Sequence, residues 1–306
     1  MSTDIKEGFV LILANEEDKK DHDALTETLK SYSVDCLTVN PKDITSYFTE
    51  DGNRFFIGKC EIKPALVLGW VFEDILRMGM NLLYAFERSG IPVINTAETL
   101  FCGQNKYLNS EALHREGIPH FPVISGYSDR YLDEWSGDLK YPLVHKQIVS
   151  AGGQAVIKVD SPILLKDLAR TFAQYNENFY AQPYYEKPDR DIRIICIDFK
   201  ATSGFYKYSP AGEWVTNVAR GGKPVLIEHI DSQMASIAEK AAKIMRARIA
   251  GIDLLETPSG ELRVLEVNTC PNFYLKQFMP EAPDVTEQAI AKMIIHEMKK
   301  TEENVL

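Results

Sequence analysis

Short apolar runs alternate with longer amphipathic segments along the first ninety-odd residues. The apolar runs are GFVLILAN, VDCLTV, PALVLGW and IPVIN, and the segments near 21–32 and 72–89 have the spacing of helices. Apolar strands separated by helices are typical of a parallel sheet with crossover helices. The pattern therefore predicts an N-terminal parallel α/β subdomain over residues 1–95.

The pattern changes twice in the rest of the chain. A helix is predicted at 105–116, and the short strands YPLVHKQIV and QAVIKV follow it. Beyond about residue 178 the strands are NFYAQPYY, DIRIICID, KATSGFYKY, IAGIDLLE and LRVLEVN, with helices at 231–248 and 286–300. We expect a central subdomain over 96–178 and a C-terminal antiparallel-sheet subdomain over 179–306.

The strand LEVNTCPN places polar side chains on one face. Glu266 and Asn268 lie two residues apart and therefore point the same way, while Leu265 and Val267 are expected to point to the opposite face. Asp253 lies in the preceding strand, and the tight TPSG turn predicts an antiparallel hairpin that brings the three side chains together. Oxygen ligands suit Mg²⁺ better than zinc. Judged on these residues alone, a solvated hairpin face with incidental acids is the commoner explanation.

Basic residues and a glycine loop suggest an anion site. The loop SAGG at 150–153 can expose backbone N–H groups, and Lys146 on the preceding strand can add a point charge for a phosphate. Asp191 and Arg193 share one face of their strand, and an arginine fork suits a carboxylate or phosphate. Alternatively, these segments are a plain hairpin turn and a surface ion pair.

The composition limits the possible partners. The chain has 306 residues, a formal net charge of −10, 45% hydrophobic residues and five scattered cysteines without zinc spacing. This acidic balance argues against a nucleic-acid surface, and the absence of a signal-peptide pattern or an 18-residue apolar run predicts a cytoplasmic protein without a membrane partner. We expect a small molecule, a peptide or another protein as the partner.

Eight blocks, in order, resemble ATP-grasp ligases, in particular RimK-type glutamate ligases and the related ligase of the amino-group-carrier lysine pathway. The blocks are IPVIN, NKYLNSEALHREGIP, YPLVHKQIVSAGGQAV, YAQPYYE, DIR, GEWVTNVARGG, AGIDLL and LEVNTCPN. They span about two thirds of the chain. The resemblance implies an ATP-grasp fold of class α/β (α+β), in which the central subdomain is a small lid.

The resemblance also implies roles for individual residues. The ATP phosphates would bind two lysines, Lys106 and Lys146, and a mobile loop with Ser150, Gly152 and Gly153. Adenine would bind a hinge strand with Gln182, Pro183, Tyr184 and Tyr185. Asn217 would contact the nucleotide from a polar loop. Two magnesium ions, for which manganese could substitute, would bind Asp253, Glu266 and Asn268. The catalytic residues would be Arg193 and Arg220.

The implied reaction is ADP-forming amide synthesis between a carboxylate and an amine. An amino acid such as glutamate would be added to a peptide, protein or cofactor acceptor by a dimer or tetramer. Lys207-Tyr208 stands where relatives commonly carry two arginines, which bears on specificity for acidic substrates, and Asn272 replaces the glycine of a more usual Pro-Gly. The alternatives are a nucleotide-binding regulator without turnover and a carboxylate-activating enzyme with a non-amine acceptor. A dehydrogenase is disfavoured because ANEEDKKDH, not a glycine-rich turn, follows the first strand.

Overall fold

The computed structural model describes residues 5–72, 74–136, 140–149, 156–186, 188–212, 216 and 221–305. The strands are β1 Ile5–Glu7, β2 Val10–Ala14, β3 Cys36–Val39, β4 Ile44–Thr49, β5 Gly52–Ile57, β6 Cys60–Lys63, β7 Leu66–Trp70, β8 Val93–Ile94, β9 Ile124–Gly126, β10 Leu143–His145, β11 Ile157–Val159, β12 Phe179–Pro183, β13 Arg190–Ile197, β14 Lys200–Tyr208, β15 Lys223–Leu226, β16 Ile249–Glu256 and β17 Leu262–Asn268. The helices are α1 Lys19–Ser31, α2 Leu76–Arg88, α3 Ala97–Gln104, α4 Lys106–Arg115, α5 Leu132–Ser136, α6 Pro162–Gln174, α7 Ser232–Ile244 and α8 Val285–Val305.

The N-terminal region contains the predicted parallel sheet. Its order is β3-β2-β7-β8, and neighbouring strands are parallel. Every residue of β2 and β7 is buried, as expected for strands covered on both faces. Helix α1 buries Leu25 and Leu29, four residues apart on one helical face, in the same core as β2.

A second N-terminal sheet was not predicted. Strands β4, β5 and β6 form an antiparallel meander between β3 and β7, and β1 joins it parallel to β6. Most residues of β4 and β5 are exposed or half-buried, so polar positions interrupt their apolar pattern. No continuous apolar run marks these strands, which is why hydrophobicity alone misses them.

The central sheet is antiparallel, in the order β11-β10-β12-β9. Its β10-β11 pairing is the expected hairpin across the SAGG loop. Helix α6 was not predicted, although Ser161 caps it by accepting from Leu164 N and Pro162 occupies its first turn. Strand β12, which was expected among the C-terminal strands, instead lies in the central sheet between β10 and β9. The subdomain division at residue 178 stays a prediction.

The C-terminal sheet is antiparallel, in the order β15-β14-β13-β16-β17. One face packs against α7, whose small side chains Ala238, Ala241 and Ala242 allow close contact with Ile194 and Ile252. The β16-β17 hairpin is the predicted one, and its polar side chains lie on the other face. Within the described residues no helix is long and apolar enough to cross a membrane.

Candidate active site

A row of charged side chains crosses three neighbouring strands of the C-terminal sheet. Arg193 of β13 lies opposite Asp253 of β16, and Asp253 lies opposite Glu266 of β17. Two residues along the hairpin, Asn268 lies opposite Gly251. Directly paired residues project from the same face. The structure therefore brings together the carboxylates, amide and arginine that were predicted as metal ligands and a catalytic residue.

The strand pattern in β17 departs from simple alternation at Leu265. Simple alternation would place Leu265 on the face opposite to Glu266. Asp253 pairs with Glu266 and Leu254 pairs with Val264, so Leu265 has no partner and forms a bulge. Leu265 and Glu266 consequently line the same pocket. This expectation was wrong because a bulge adds one residue and changes the side-chain phase.

Asp253 is held by two cations. Its Oδ1 accepts from Arg193 Nε at 2.5 Å, its Oδ2 accepts from Arg193 Nη2 at 2.9 Å, and Lys207 Nζ lies 2.8 Å from Oδ1. Burial opposes ionisation of Asp253, but the charges of Arg193 and Lys207 outweigh it and hold the pKa well below its usual range. The sequence suggested a role in specificity for Lys207 but not this buried ion pair.

Glu266 and Asn268 fit a magnesium ion by their chemistry. Both are half-buried, and Asn268 Nδ2 lies 3.3 Å from Glu266 Oε1 and from Gly251 O. A carboxylate and an amide oxygen are ligands that Mg²⁺ accepts. Asp253 could bind a metal only through the lone pairs that do not accept from Arg193 or Lys207. Among the described residues no group of three or more His, Cys, Asp or Glu side chains forms a metal cluster, so substrate oxygens would have to complete the coordination.

The two predicted phosphate lysines line one small pocket with Glu266. Lys106 is the first residue of α4, and its backbone N donates to Ile148 O at 3.0 Å, so the helix start lies beside the strand end that leads to the SAGG loop. Lys146 Nζ donates to Gln182 Oε1 at 3.1 Å. Burial, aided by the charge of Lys106, lowers the pKa of Lys146 to about 8.

A hydrogen-bonded chain fixes the acceptor of Lys146. Gln182 Nε2 donates to Tyr180 Oη at 2.8 Å, and Tyr180 Oη lies 2.7 Å from Ser110 Oγ. Tyr180 is buried and lines the pocket together with Ser110. Because Gln182 uses its amide N–H toward Tyr180, its oxygen is turned toward Lys146. Tyr180 and Ser110 were not predicted; the period-two spacing of Tyr180 and Gln182 is the sequence signal that could have placed Tyr180 beside Gln182.

The residues predicted to bind adenine follow directly. Gln182 and Pro183 end β12, and Tyr184 N donates to Pro142 O at 2.9 Å. The Tyr185 ring centroid lies 5.1 Å from that of Phe121, and both tyrosines are half-buried. Their role in adenine binding stays a prediction.

Five predicted site residues lie outside the described residues. They are Ser150, Gly152, Gly153, Asn217 and Arg220. Thr216, which precedes Asn217, is described. It is buried, and its Oγ1 donates to Asp191 Oδ2. Thr216 is therefore attached to β13, the strand that carries Arg193.

Comparison with known families identifies the chain. A family model described as the RimK-like ATP-grasp domain matches residues 103–294, more than half of the sequence. The chain belongs to this RimK-like ATP-grasp family. The alpha-aminoadipate-LysW ligase LysX of Saccharolobus solfataricus is 30% identical over 194 residues, which cover 62% of this chain and 70% of the relative. The tetrahydromethanopterin:alpha-L-glutamate ligase of Methanocaldococcus jannaschii is 26% identical over 260 residues, covering 81% and 86%.

Solved ATP-grasp structures share the fold. The ligase PsnB in complex with a minimal precursor superposes with a TM-score of 0.73 and 15% identity, covering 95% of this chain and 99% of that one. Its complex with the minimal precursor, Mg and ADP has a TM-score of 0.69 and 16% identity, covering 94% and 98%. The predicted fold class is confirmed. As a RimK-like ATP-grasp protein the chain is an ATP-dependent carboxylate-amine ligase, which confirms the predicted reaction class.

Proposed function

We propose that the protein joins the amine of an amino acid, such as glutamate, to the carboxylate of a peptide, protein or cofactor acceptor. The proposal rests on one observation. Lys106, Lys146 and Glu266 line the same pocket, and Glu266 pairs with Asp253 of the Arg193–Asp253 ion pair. Cations for phosphates and oxygen ligands for a metal thus meet at one place. The names of LysX and of the tetrahydromethanopterin ligase support an amino-acid substrate.

The reaction would proceed in two steps. A carboxylate oxygen attacks the γ-phosphorus of ATP, which forms an acyl phosphate and releases ADP. The amine then attacks the acyl carbon, loses a proton, and expels inorganic phosphate. Neither step needs a nucleophile from the protein, so the site has only to position the reactants and neutralise charge.

The residues of this chain divide that work by location. Lys106 and Lys146 would hold the ATP phosphates, and the Tyr180–Gln182 pair keeps the Lys146 ammonium in place. Arg193 lies on β13, the central strand of the C-terminal sheet, on the same polar face as Asp253. Its guanidinium would stabilise charge on the transferring phosphoryl group, and Arg220 would hold the acyl phosphate. The loops at 150–153 and 217–220 would close over the phosphates.

Glu266 and Asn268, with Asp253, would hold two magnesium ions. When bound, the metal would neutralise charge on the β- and γ-phosphates. Because Asp253 already balances two cations, we propose that Glu266 is the dominant protein ligand. The functional unit is proposed to be a dimer or tetramer, which light scattering of the purified protein would decide.

Product release tests the function. The purified protein should release ADP and phosphate only when a matching acid and amine are both present. A screen of amino acids against cellular acids should give a product that is heavier than the acid by one amino acid less water. Calorimetry without detectable Mg-ATP binding would overturn the proposal. ATP binding with no turnover for any pair would point to a regulator, and ADP release without an amine-derived mass would point to a non-amine acceptor.

A further inference from the structure

The chain immediately after β17 is held by residues that the proposed reaction does not use. This turn segment, residues 269–274, has the sequence TCPNFY and directly follows Asn268. Its direction therefore determines where the end of β17 points. The contacts that hold it come from the N-terminal region, more than 150 residues away in sequence.

Asp21 of helix α1 makes the largest set of these contacts. Its side chain is fully buried, and Oδ1 accepts from the backbone N–H groups of Phe273 at 2.6 Å and Tyr274 at 2.7 Å. Oδ2 accepts from Gln277 Nε2 at 2.8 Å and from Asn272 Nδ2 at 3.1 Å. One buried carboxylate thus satisfies three donors of the turn segment and a fourth from Gln277 just beyond it. A buried charge is tolerated only when it is hydrogen-bonded in this way.

Asn272 adds a second acid to the arrangement. Its Nδ2 also donates to Asp18 Oδ1 at 2.7 Å, and Asp18 Oδ2 accepts from Trp70 Nε1 at 2.8 Å. The position at which the sequence departs from the usual Pro-Gly is therefore where an amide side chain bridges two carboxylates. A glycine could not make either contact.

The near end of the turn segment is equally constrained. Asn95 Nδ2 donates to Thr269 O at 3.0 Å. Pro271 packs on Gly251 so closely that a Cβ there would lie 2.7 Å from Pro271 Cβ and 2.7 Å from Arg193 Nη1. Real Cβ atoms do not approach other atoms that closely, so this position requires glycine. A continuous path of tight contacts leads from Asp21 through Pro271 to Arg193 and the end of β17.

We propose that Asp21 is a positioning residue for the metal-binding end of β17. Its carboxylate fixes the turn segment, and the turn segment fixes the direction in which Glu266 and Asn268 present their oxygens. This inference rests on the proposed function, because it takes these two residues as metal ligands. Groups hydrogen-bonded directly to metal ligands typically change metal affinity by about 10- to 100-fold when they are removed, and Asp21, which acts through the turn segment, should fall at the low end of that range.

The test compares Asp21→Asn with two controls on the same helix. Asp23→Asn makes the same chemical change at an exposed ion pair with Lys19, and Leu29→Ala loosens the buried face of α1 without removing a hydrogen bond to the turn segment. Calorimetry measures the affinity for ATP with saturating Mg²⁺ and with chelator, and urea denaturation measures the free energy of unfolding. A general loss of structure would lower both ATP affinities together, whereas misplaced metal ligands lower only the first.

Asp21→Asn turns an acceptor into a donor facing Asn272 and Gln277. We expect its affinity for Mg-ATP to fall about tenfold or more, with metal-free ATP binding unchanged. Asp23→Asn should change neither affinity. Leu29→Ala should lower stability but keep the Mg²⁺ enhancement, which is the ratio of the ATP affinity with Mg²⁺ to the ATP affinity with chelator. Should Asp21→Asn not fold, Asn272→Ala keeps the backbone contacts of Asp21 but removes both hydrogen bonds of the amide to the two carboxylates. This variant should lower the Mg²⁺ enhancement about threefold or more.

Three results would overturn the inference. The Mg²⁺ enhancement in Asp21→Asn, or in Asn272→Ala if that variant has to replace it, could equal that of the wild type. Leu29→Ala could lose the enhancement to the same extent, which would make the effect one of stability. A wild-type protein that binds ATP equally with and without Mg²⁺ would refute both this inference and the metal site of the proposed function, while leaving ATP binding itself intact.

Discussion

Replacing Lys146 by methionine should make the ligand-free protein more stable and at the same time abolish tight ATP binding. Burial lowers the pKa of Lys146 from 10.5 to about 8. Each pKa unit corresponds to about 1.4 kcal/mol between the two protonation states, so the charged folded form costs about 3 kcal/mol. The lost hydrogen bond to Gln182 offsets about 1 kcal/mol, which leaves a net gain of about 2 kcal/mol.

The pH dependence separates this effect from ordinary repacking. Below pH 8 the lysine is protonated in both the folded and the unfolded protein, so its full cost is present. Between about pH 8 and 10.5 the unfolded chain binds more protons than the folded one, and the stability of the wild type therefore rises with pH. The advantage of Lys146→Met should consequently be largest at pH 7 and shrink towards pH 10.5.

Urea denaturation of the two proteins at pH 7, 8, 9 and 10 measures this advantage. Lys158→Met is the matched control, because Lys158 lies exposed on the adjacent strand β11 with its Nζ 4.2 Å from the centroid of the Tyr184 ring. That variant should show no comparable gain. A Lys146→Met protein that is less stable than the wild type at pH 7, or whose advantage does not change with pH, would refute the reasoning.

Two further substitutions test the metal-binding hairpin. Glu266→Gln should weaken Mg²⁺ and ATP binding together, because it removes a charged ligand. Glu261→Gln, in the exposed turn of the hairpin, should not. Unchanged Mg-ATP affinity by calorimetry would count against the role of Glu266. Lys207→Met should lower the free energy of unfolding by about 1.5–3 kcal/mol, as expected for one charged hydrogen bond lost while Arg193 still holds Asp253. A urea midpoint equal to that of the wild type would show that Lys207 serves only the substrate.

The arrangement of the hairpin could be predicted because it depends on local rules. Two strands joined by a four-residue turn must pair antiparallel, and alternation then places Glu266 and Asp253 on one face. The same local rules fail at Leu265, where a bulge changes the phase. A bulge depends on how the strand fits its neighbours, so neither residue type nor spacing revealed it.

Other parts of the site depend on contacts between distant segments. Lys207 reaches Asp253 across β13, and Tyr180 meets Ser110 from a helix 70 residues earlier. Lysine and tyrosine are common on strands, so neither residue looks unusual in the sequence. The roles of the loops at 150–153 and 217–220 stay predictions.

The sequence by itself determined the parallel N-terminal sheet with its crossover helices, the acidic hairpin and, through its motifs, the ATP-grasp family. These properties follow from periodicity and from short motifs, which each segment carries alone. Only the tertiary structure decided that Asp253 is neutralised by two cations, that burial lowers the pKa of Lys146 to about 8, and that Asp21 holds the turn segment. Charge and burial depend on which distant groups are brought within a few ångströms, and that information exists only once the chain is folded.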